Sequence, residues 1–160
     1  MKRTLFLILF TCIAFSCKKE YHTTIPNNYP VRVELWINTS DSELQTSLAY
    51  KVILESQIIS ERFGFGGVLV INGMGEAPIN IYAYDLACPE EARRDIRVVP
   101  DILGSSTSAV KTAITATCPN CGAVFNIATG TGSPASGSKY YLRSYKVVYN
   151  KTWNSYTVFN

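Results

Sequence analysis

Along most of the chain, apolar and polar side chains alternate with a period of two. Val31-Arg32-Val33-Glu34-Leu35-Trp36-Ile37 alternates cleanly, and Asn38-Thr39-Ser40-Asp41-Ser42 closes the run with turn-forming residues. A second extended run lies between Leu48 and Ile59, carried by Tyr50, Val52, Leu54 and Ile58-Ile59. Val68-Leu69-Val70-Ile71, then Asn72-Gly73-Met74-Gly75, then Ile79-Asn80-Ile81-Tyr82-Ala83-Tyr84 predicts a strand, a reversal and a second strand. Further strands are predicted over 95–99, 109–117, 123–127, 139–149 and 153–159. Nowhere does the pattern support an amphipathic helix of three turns, and Glu90-Glu91-Ala92-Arg93-Arg94 suits one short turn. Short strands separated by Gly, Ser and Asn predict an all-β antiparallel sandwich or barrel, formed as a single domain over 31–160.

The N-terminus breaks this pattern. Lys2-Arg3 precedes an almost wholly apolar stretch over 4–15, which ends at Ser16-Cys17-Lys18-Lys19-Glu20. A basic start, an apolar stretch and a small residue at the cut site predict a secretory signal peptide over 1–16. The stretch is shorter than the about 20 residues a membrane span needs. With a Cys directly after the small residue, the segment resembles a bacterial lipoprotein signal, and Ser-Cys-Lys-Lys is similar to those of the Bacteroidetes group, although Phe15 stands where a small residue is usual. That resemblance implies that Cys17 is the lipidated first residue of the mature protein. It also implies a tether over 17–30 and a lipid-anchored place in the cell envelope, periplasmic or outer-membrane facing, with the membrane and an envelope protein as partners. The alternative is an ordinary signal peptide with an incidental Cys. Loss of 1–16 leaves thirteen basic against twelve acidic residues, a net charge of +1 in place of +3.

Composition narrows the function classes. At 47% hydrophobic and 17% charged the chain is not a disordered one, and its basic residues form no stripe for nucleic acid. There is one histidine, His22, in the polar linker Tyr21-His22-Thr23-Thr24-Ile25-Pro26. Ser-His-Asp and Cys-His nucleophile pairs, and zinc hydrolase sites with several His ligands, are therefore not expected. No acid-base pair stands out, so the chain does not read as an enzyme.

Of five cysteines, Cys12 leaves with the signal and Cys17 carries lipid, so Cys88, Cys118 and Cys121 remain. Three thiols in an oxidising compartment are not a closed set of internal disulfides, so either one stays free or all three are ligands. Tyr84-Asp85-Leu86-Ala87-Cys88-Pro89-Glu90 places a Cys-Pro after a strand, and Ala116-Thr117-Cys118-Pro119-Asn120-Cys121-Gly122 does so again. Proline fixes φ and removes one donor, leaving neighbouring amides to point at sulfur. Two such loops can bring their thiols together at one tip.

Here the chain resembles the Rieske iron-sulfur family. Cys88 and Cys118 match its two cysteine ligands. Gly122, Phe125-Asn126, Thr129-Gly130 and Pro134-Ala135 match the surrounding framework, and Gly66-Gly67-Val68-Leu69-Val70 with Ile81-Tyr82-Ala83 matches the strands leading into the first loop. The resemblance covers roughly 63–149. It implies a Rieske-like antiparallel β-sandwich or barrel with two Cys-Pro loops at one tip, and electron transfer through a 2Fe-2S cluster. The family's two histidine ligands are replaced here by Glu90 and Cys121, and an insertion surrounds 93–108. Cys88, Cys118, Cys121 and Glu90 are thus the candidate ligands, for an altered 2Fe-2S cluster of lowered potential or for one zinc ion. The alternative is a metal-free interaction or structural module with a disulfide at the former cluster site, such as Cys118-Cys121 with Cys88 reduced.

Other candidates read as structure. Phe63-Gly64-Phe65-Gly66-Gly67 precedes a strand, which predicts a tight entry turn instead of a phosphate loop. Asp85, Glu90 and Glu91 read as acids of a solvated loop, and Arg93-Arg94 as their exposed partners. The run from Tyr140 to Tyr149 reads as the half-buried face of a sheet.

Overall fold

The computed structural model describes residues 21–55, 60–75, 79–104 and 108–160. The signal segment, Cys17 and the Ile58-Ile59 pair lie outside the described residues. Eleven strands follow in order: β1 (Val31–Leu35), β2 (Tyr50–Ile53), β3 (Arg62–Phe63), β4 (Val68–Asn72), β5 (Ile81–Asp85), β6 (Val99–Leu103), β7 (Thr112–Thr117), β8 (Val124–Asn126), β9 (Pro134–Ser136), β10 (Ser144–Asn150) and β11 (Ser155–Phe159). Among the described residues the only helical element is the 3₁₀ turn Ser42–Gln45. The fold is all-β, as the alternation predicts.

Seven strands form one antiparallel sheet in the order β2-β4-β5-β10-β11-β1-β3, which curls into a nearly closed barrel. Its interior shows why the period of two matters. Val31, Val33 and Leu35 of β1 point inward and meet Val68 and Val70 of β4, Ile81 and Ala83 of β5, and Val158 of β11 in one buried cluster. The remaining four strands form a second sheet, β6-β7-β8-β9, inserted in sequence between the neighbours β5 and β10.

β4 has no exposed face, because two cores share it. Val68 and Val70 enter the barrel, while Leu69 and Ile71 enter a second cluster with Tyr84, Leu86, Ala113, Ala116, Phe125 and Ile127. The small sheet therefore packs on the outer face of the β4–β5 hairpin. Tyr84 lies fully inside this second core, and its hydroxyl donates to the Ile127 carbonyl at 3.1 Å, which satisfies the one polar atom that the ring brings in. Ala113 N–H to Leu48 C=O (3.0 Å) and Tyr50 N–H to Lys111 C=O (3.2 Å) fasten the small sheet to the β2 edge.

Two predicted strands are displaced. Instead of 95–99, the strand β6 occupies Val99–Leu103, because the preceding residues pair back on the first Cys loop: Cys88 N–H donates to Ile96 C=O at 3.0 Å and Val98 N–H to Leu86 C=O at 2.8 Å. In the run 139–149 the strand starts only at Ser144, since the earlier amides bond to loop partners. Tyr141 N–H bonds to His22 C=O and Leu142 N–H to Gly132 C=O. Of this run Leu142 and Tyr145 are buried, whereas Val148 and Tyr149 are exposed.

Candidate metal centre

The register of β5 delivers the first sulfur. Tyr84, Leu86 and Cys88 follow one another at a spacing of two on the face turned to the small sheet, and all three are buried. Beyond Cys88 the chain turns at once: Pro89 has no N–H, and Ala92 N–H returns to Cys88 C=O at 2.9 Å. The second sulfur arises the same way. β7 ends at Thr117, Cys118 is buried against Ala123 and Phe125, and Gly122 N–H returns to Cys118 C=O at 2.9 Å. Gly122 has φ +73°, in the left-handed region that glycine enters without strain.

These two turns bring three thiols together. The Sγ atoms of Cys88, Cys118 and Cys121 all lie within 4.8 Å of one another, and Cys88 and Cys121 are 3.7 Å apart. All three are free thiols; Cys88 and Cys118 are buried and Cys121 is exposed at the tip. They are close enough to hold a metal ion. A tetrahedral ion with metal–sulfur bonds of about 2.3 Å sets its sulfurs about 3.8 Å apart, so the set needs little rearrangement to close on one ion.

The thiols are not equivalent. Burial pushes the Cys88 thiol up to about 12, against the pull of the Glu91 and Glu90 amides on its sulfur. For Cys118 burial also opposes ionisation, yet the amides of Cys121 and Asn120 and the neighbouring thiols of Cys88 and Cys121 outweigh it, and its pKa falls below the ordinary thiol value. Cys121 is raised, by burial and then by its contact with Cys118. Of the three, Cys118 therefore gives up its proton most readily, and metal binding would displace the protons of all three.

Neither Glu90 nor Glu91 is brought into the group of three sulfurs. The Glu90 carboxylate accepts the Lys139 amide at 3.1 Å, across to the loop before β10. Glu91 leans the other way and accepts from Asn120 Nδ2 at 2.6 Å. His22 stays apart from the sulfurs, with its ring edge-on to Tyr140 at 5.7 Å. Residues 21–25 nevertheless lie on this end of the domain. Ile25 is buried, the Thr24 hydroxyl donates to the Pro89 carbonyl, and the Tyr21 and Tyr141 rings are 5.0 Å apart. The N-terminal segment thus backs the first Cys loop.

Asp85 corrects the reading of a solvated acid. It is fully buried and accepts four hydrogen bonds: Oδ1 from Gly66 N–H (2.9 Å) and Ala87 N–H (2.8 Å), Oδ2 from Phe65 N–H (2.8 Å) and the Tyr145 hydroxyl (2.5 Å). The Tyr145 hydroxyl is raised well above its ordinary value by burial and then by the Asp85 charge. The glycine-rich turn is the entry turn predicted, and its amides close on this internal carboxylate. The signal was present in the sequence, for the period of two puts Asp85 on the inward face with Ile81 and Ala83. A Cβ on Gly66 would stand 2.6 Å from Ala87 N, so this glycine lets the turn touch the strand that carries Cys88. No protein family, curated protein or solved structure matches the chain.

Proposed function

We propose that this chain is a lipid-anchored envelope protein whose all-β domain carries one thiolate-bound iron ion at its tip and passes single electrons. The observation that carries the reading is the convergence of three Sγ atoms, from two separate Cys-Pro loops, within 4.8 Å. Soft thiolates favour iron or zinc over hard cations. Of the two, zinc has no redox chemistry, so the electron-passing reading requires iron. Cys121 is exposed, so a ligand sulfur reaches the surface where a partner protein can exchange an electron.

The Rieske resemblance enters as support for this reading, because a Cys-Pro loop after β5 of the larger sheet and another after β7 of the smaller one bring their sulfurs together. The residues do not fit that family's two-iron cluster. No histidine joins the group, and three sulfurs on two irons must divide two and one, which spreads them across the cluster instead of within one tetrahedral face. The lipid anchor on Cys17 rests on the signal sequence alone.

Anaerobic purification followed by metal and acid-labile sulfide analysis tests the proposal. One iron per chain without sulfide is expected, lost on replacing Cys88, Cys118 and Cys121 by Ser. Stoichiometric zinc would remove electron transfer and keep the centre, while two irons with sulfide would restore a cluster.

A second reading rests on one distance. Cys88 and Cys121 at 3.7 Å are poised to close to the about 2.05 Å of a disulfide in an oxidising compartment, leaving Cys118 as the free thiol of a metal-free module. Its mark is one reactive thiol among the three and no bound metal.

A further inference from the structure

The two Cys-Pro loops are two copies of one local structure. In each, a buried Cys is followed by Pro, and its carbonyl accepts from the amide four residues on, Ala92 or Gly122, both at 2.9 Å. In each, the closing residue has positive φ: +50° at Ala92 and +73° at Gly122. In each, the amides two and three residues after the Cys favour its thiolate, those of Glu90 and Glu91 for Cys88 and those of Asn120 and Cys121 for Cys118. Ala92 bears a side chain in a backbone region that costs a residue with Cβ about 1–2 kcal/mol, so the shape is held in the first loop even without glycine.

Position by position, the residue of the first loop that corresponds to the ligand Cys121 is Glu91. We infer that Glu91 is the fourth ligand of the metal centre, completing a set of Cys88, Glu91, Cys118 and Cys121 contributed two and two by repeated turns. This assignment rests on the proposed metal centre. It differs from Glu90, whose position corresponds to Asn120, a residue whose amide favours the Cys118 thiolate. Glu90's carboxylate is turned to Lys139, whereas Glu91 already reaches across the gap between the loops to Asn120, the residue set between Cys118 and Cys121. That bond uses Oε1; the carboxylate stands outside the group of three sulfurs, and its side chain must turn inward for Oε2 to meet an ion held there. An ion there would gain an anionic oxygen beside its three sulfurs, and the Asn120 amide would orient the carboxylate as an outer hydrogen-bond partner.

Cobalt(II) titration of the full chain, purified in detergent under reducing conditions, tests the assignment. Glu91→Gln keeps the size of the side chain, and Glu91→Cys replaces the carboxylate by a fourth thiolate. Expected are a loss of cobalt affinity of about 10-fold or more in Glu91→Gln and no change in Glu90→Gln. Glu91→Cys should bind at least as tightly as wild type, with a stronger sulfur-to-cobalt charge-transfer band. The thermal midpoints of the metal-free variants should match wild type, which separates ligation from folding. Unchanged affinity and spectrum in Glu91→Gln, or an equal loss in Glu90→Gln, overturns this assignment alone. Failure of the wild type to bind cobalt overturns it together with the metal centre.

Discussion

Replacing Asp85 by Asn tests how the barrel holds the first Cys loop. The carboxylate accepts two donors on each oxygen: Gly66 and Ala87 amides on Oδ1, the Phe65 amide and Tyr145 hydroxyl on Oδ2. An Asn side chain offers one oxygen, and its better orientation keeps that oxygen toward Gly66 and Ala87. Its NH2 then faces the Tyr145 hydroxyl, which can rotate to accept, and the Phe65 N–H, which cannot. One half-buried amide is orphaned, at a cost toward the low end of about 1–3 kcal/mol. The surviving bonds also lose charge assistance, from about 1.5–3 to about 0.5–1.5 kcal/mol each. Because the neutral side chain is cheaper to bury, part of that loss is returned. The sum is a destabilisation of about 3–5 kcal/mol, comparable to breaking a buried charged network. Urea unfolding of the metal-free protein at neutral pH measures it, with Tyr145→Phe as a comparison that removes one donor and leaves three. Asp85→Asn within about 1 kcal/mol of wild type would refute the reasoning, as would Tyr145→Phe costing more than Asp85→Asn.

Alkaline pH should weaken the metal-free fold. Tyr84 and Tyr145 are raised from 10.0 chiefly by burial, and Cys88 from 9.0 to about 12 by the same cause. Each group is protonated in the fold when the unfolded chain has released its proton. Stability is therefore full below about pH 9 and falls as pH rises, by up to about 1.4 kcal/mol per pH unit for each group; equal urea midpoints at pH 8.5 and pH 11 would count against it. Gly66→Ala should destabilise the domain and weaken cobalt binding together, because the added Cβ meets the Ala87 backbone; a variant with native stability and affinity would show that the contact is dispensable. With lipid on Cys17, as proposed, four residues reach Tyr21 and span at most about 14 Å, and Tyr21 rests on Tyr141 beside the Cys loops. A tryptophan placed at the exposed Lys139 should then be quenched by brominated phospholipid more than Trp36 or Trp153, and equal quenching would mean that the tip faces away from the bilayer.

What the sequence disclosed follows from how local each cause is. β1 was legible because Val31, Val33 and Leu35 are spaced by two and face one core. β4 and β5 were legible because β-rich runs flank a Gly-containing reversal. The meeting of the Cys-Pro loops was legible because both follow strands. β3 and β9 were not: Arg62–Phe63 and Pro134–Ser136 are short and become strands through their partners β1 and β8. The shift of β6 had the same origin, since residues 96 and 98 are claimed by Cys88 and Leu86. Asp85 was misjudged because an acid near a loop suggests solvent, while its donors sit on Gly66, Ala87 and Tyr145, up to 60 residues away.

The candidate ligands show the same division between spacing and geometry. Spacing pointed to Glu90, two residues beyond Cys88, by analogy with a family whose ligand stands there. The turn itself lets the amides of Glu90 and Glu91 favour the Cys88 thiolate and leaves the side chains to diverge, one toward Lys139 and the other toward Asn120. A ligand on a Cys-Pro turn is chosen by which side chain the closed turn aims at the opposite loop. In the second loop that residue is the third after the Cys, where it bears the exposed thiol of Cys121. If both turns obey the same backbone, the third residue after Cys88 is the counterpart of Cys121, and a carboxylate turned inward there would make the proposed centre three sulfurs and one oxygen. Exchange of Glu91 for Cys then tests whether the two halves of the site are interchangeable, since two copies of one turn should accept the same ligand at the same position.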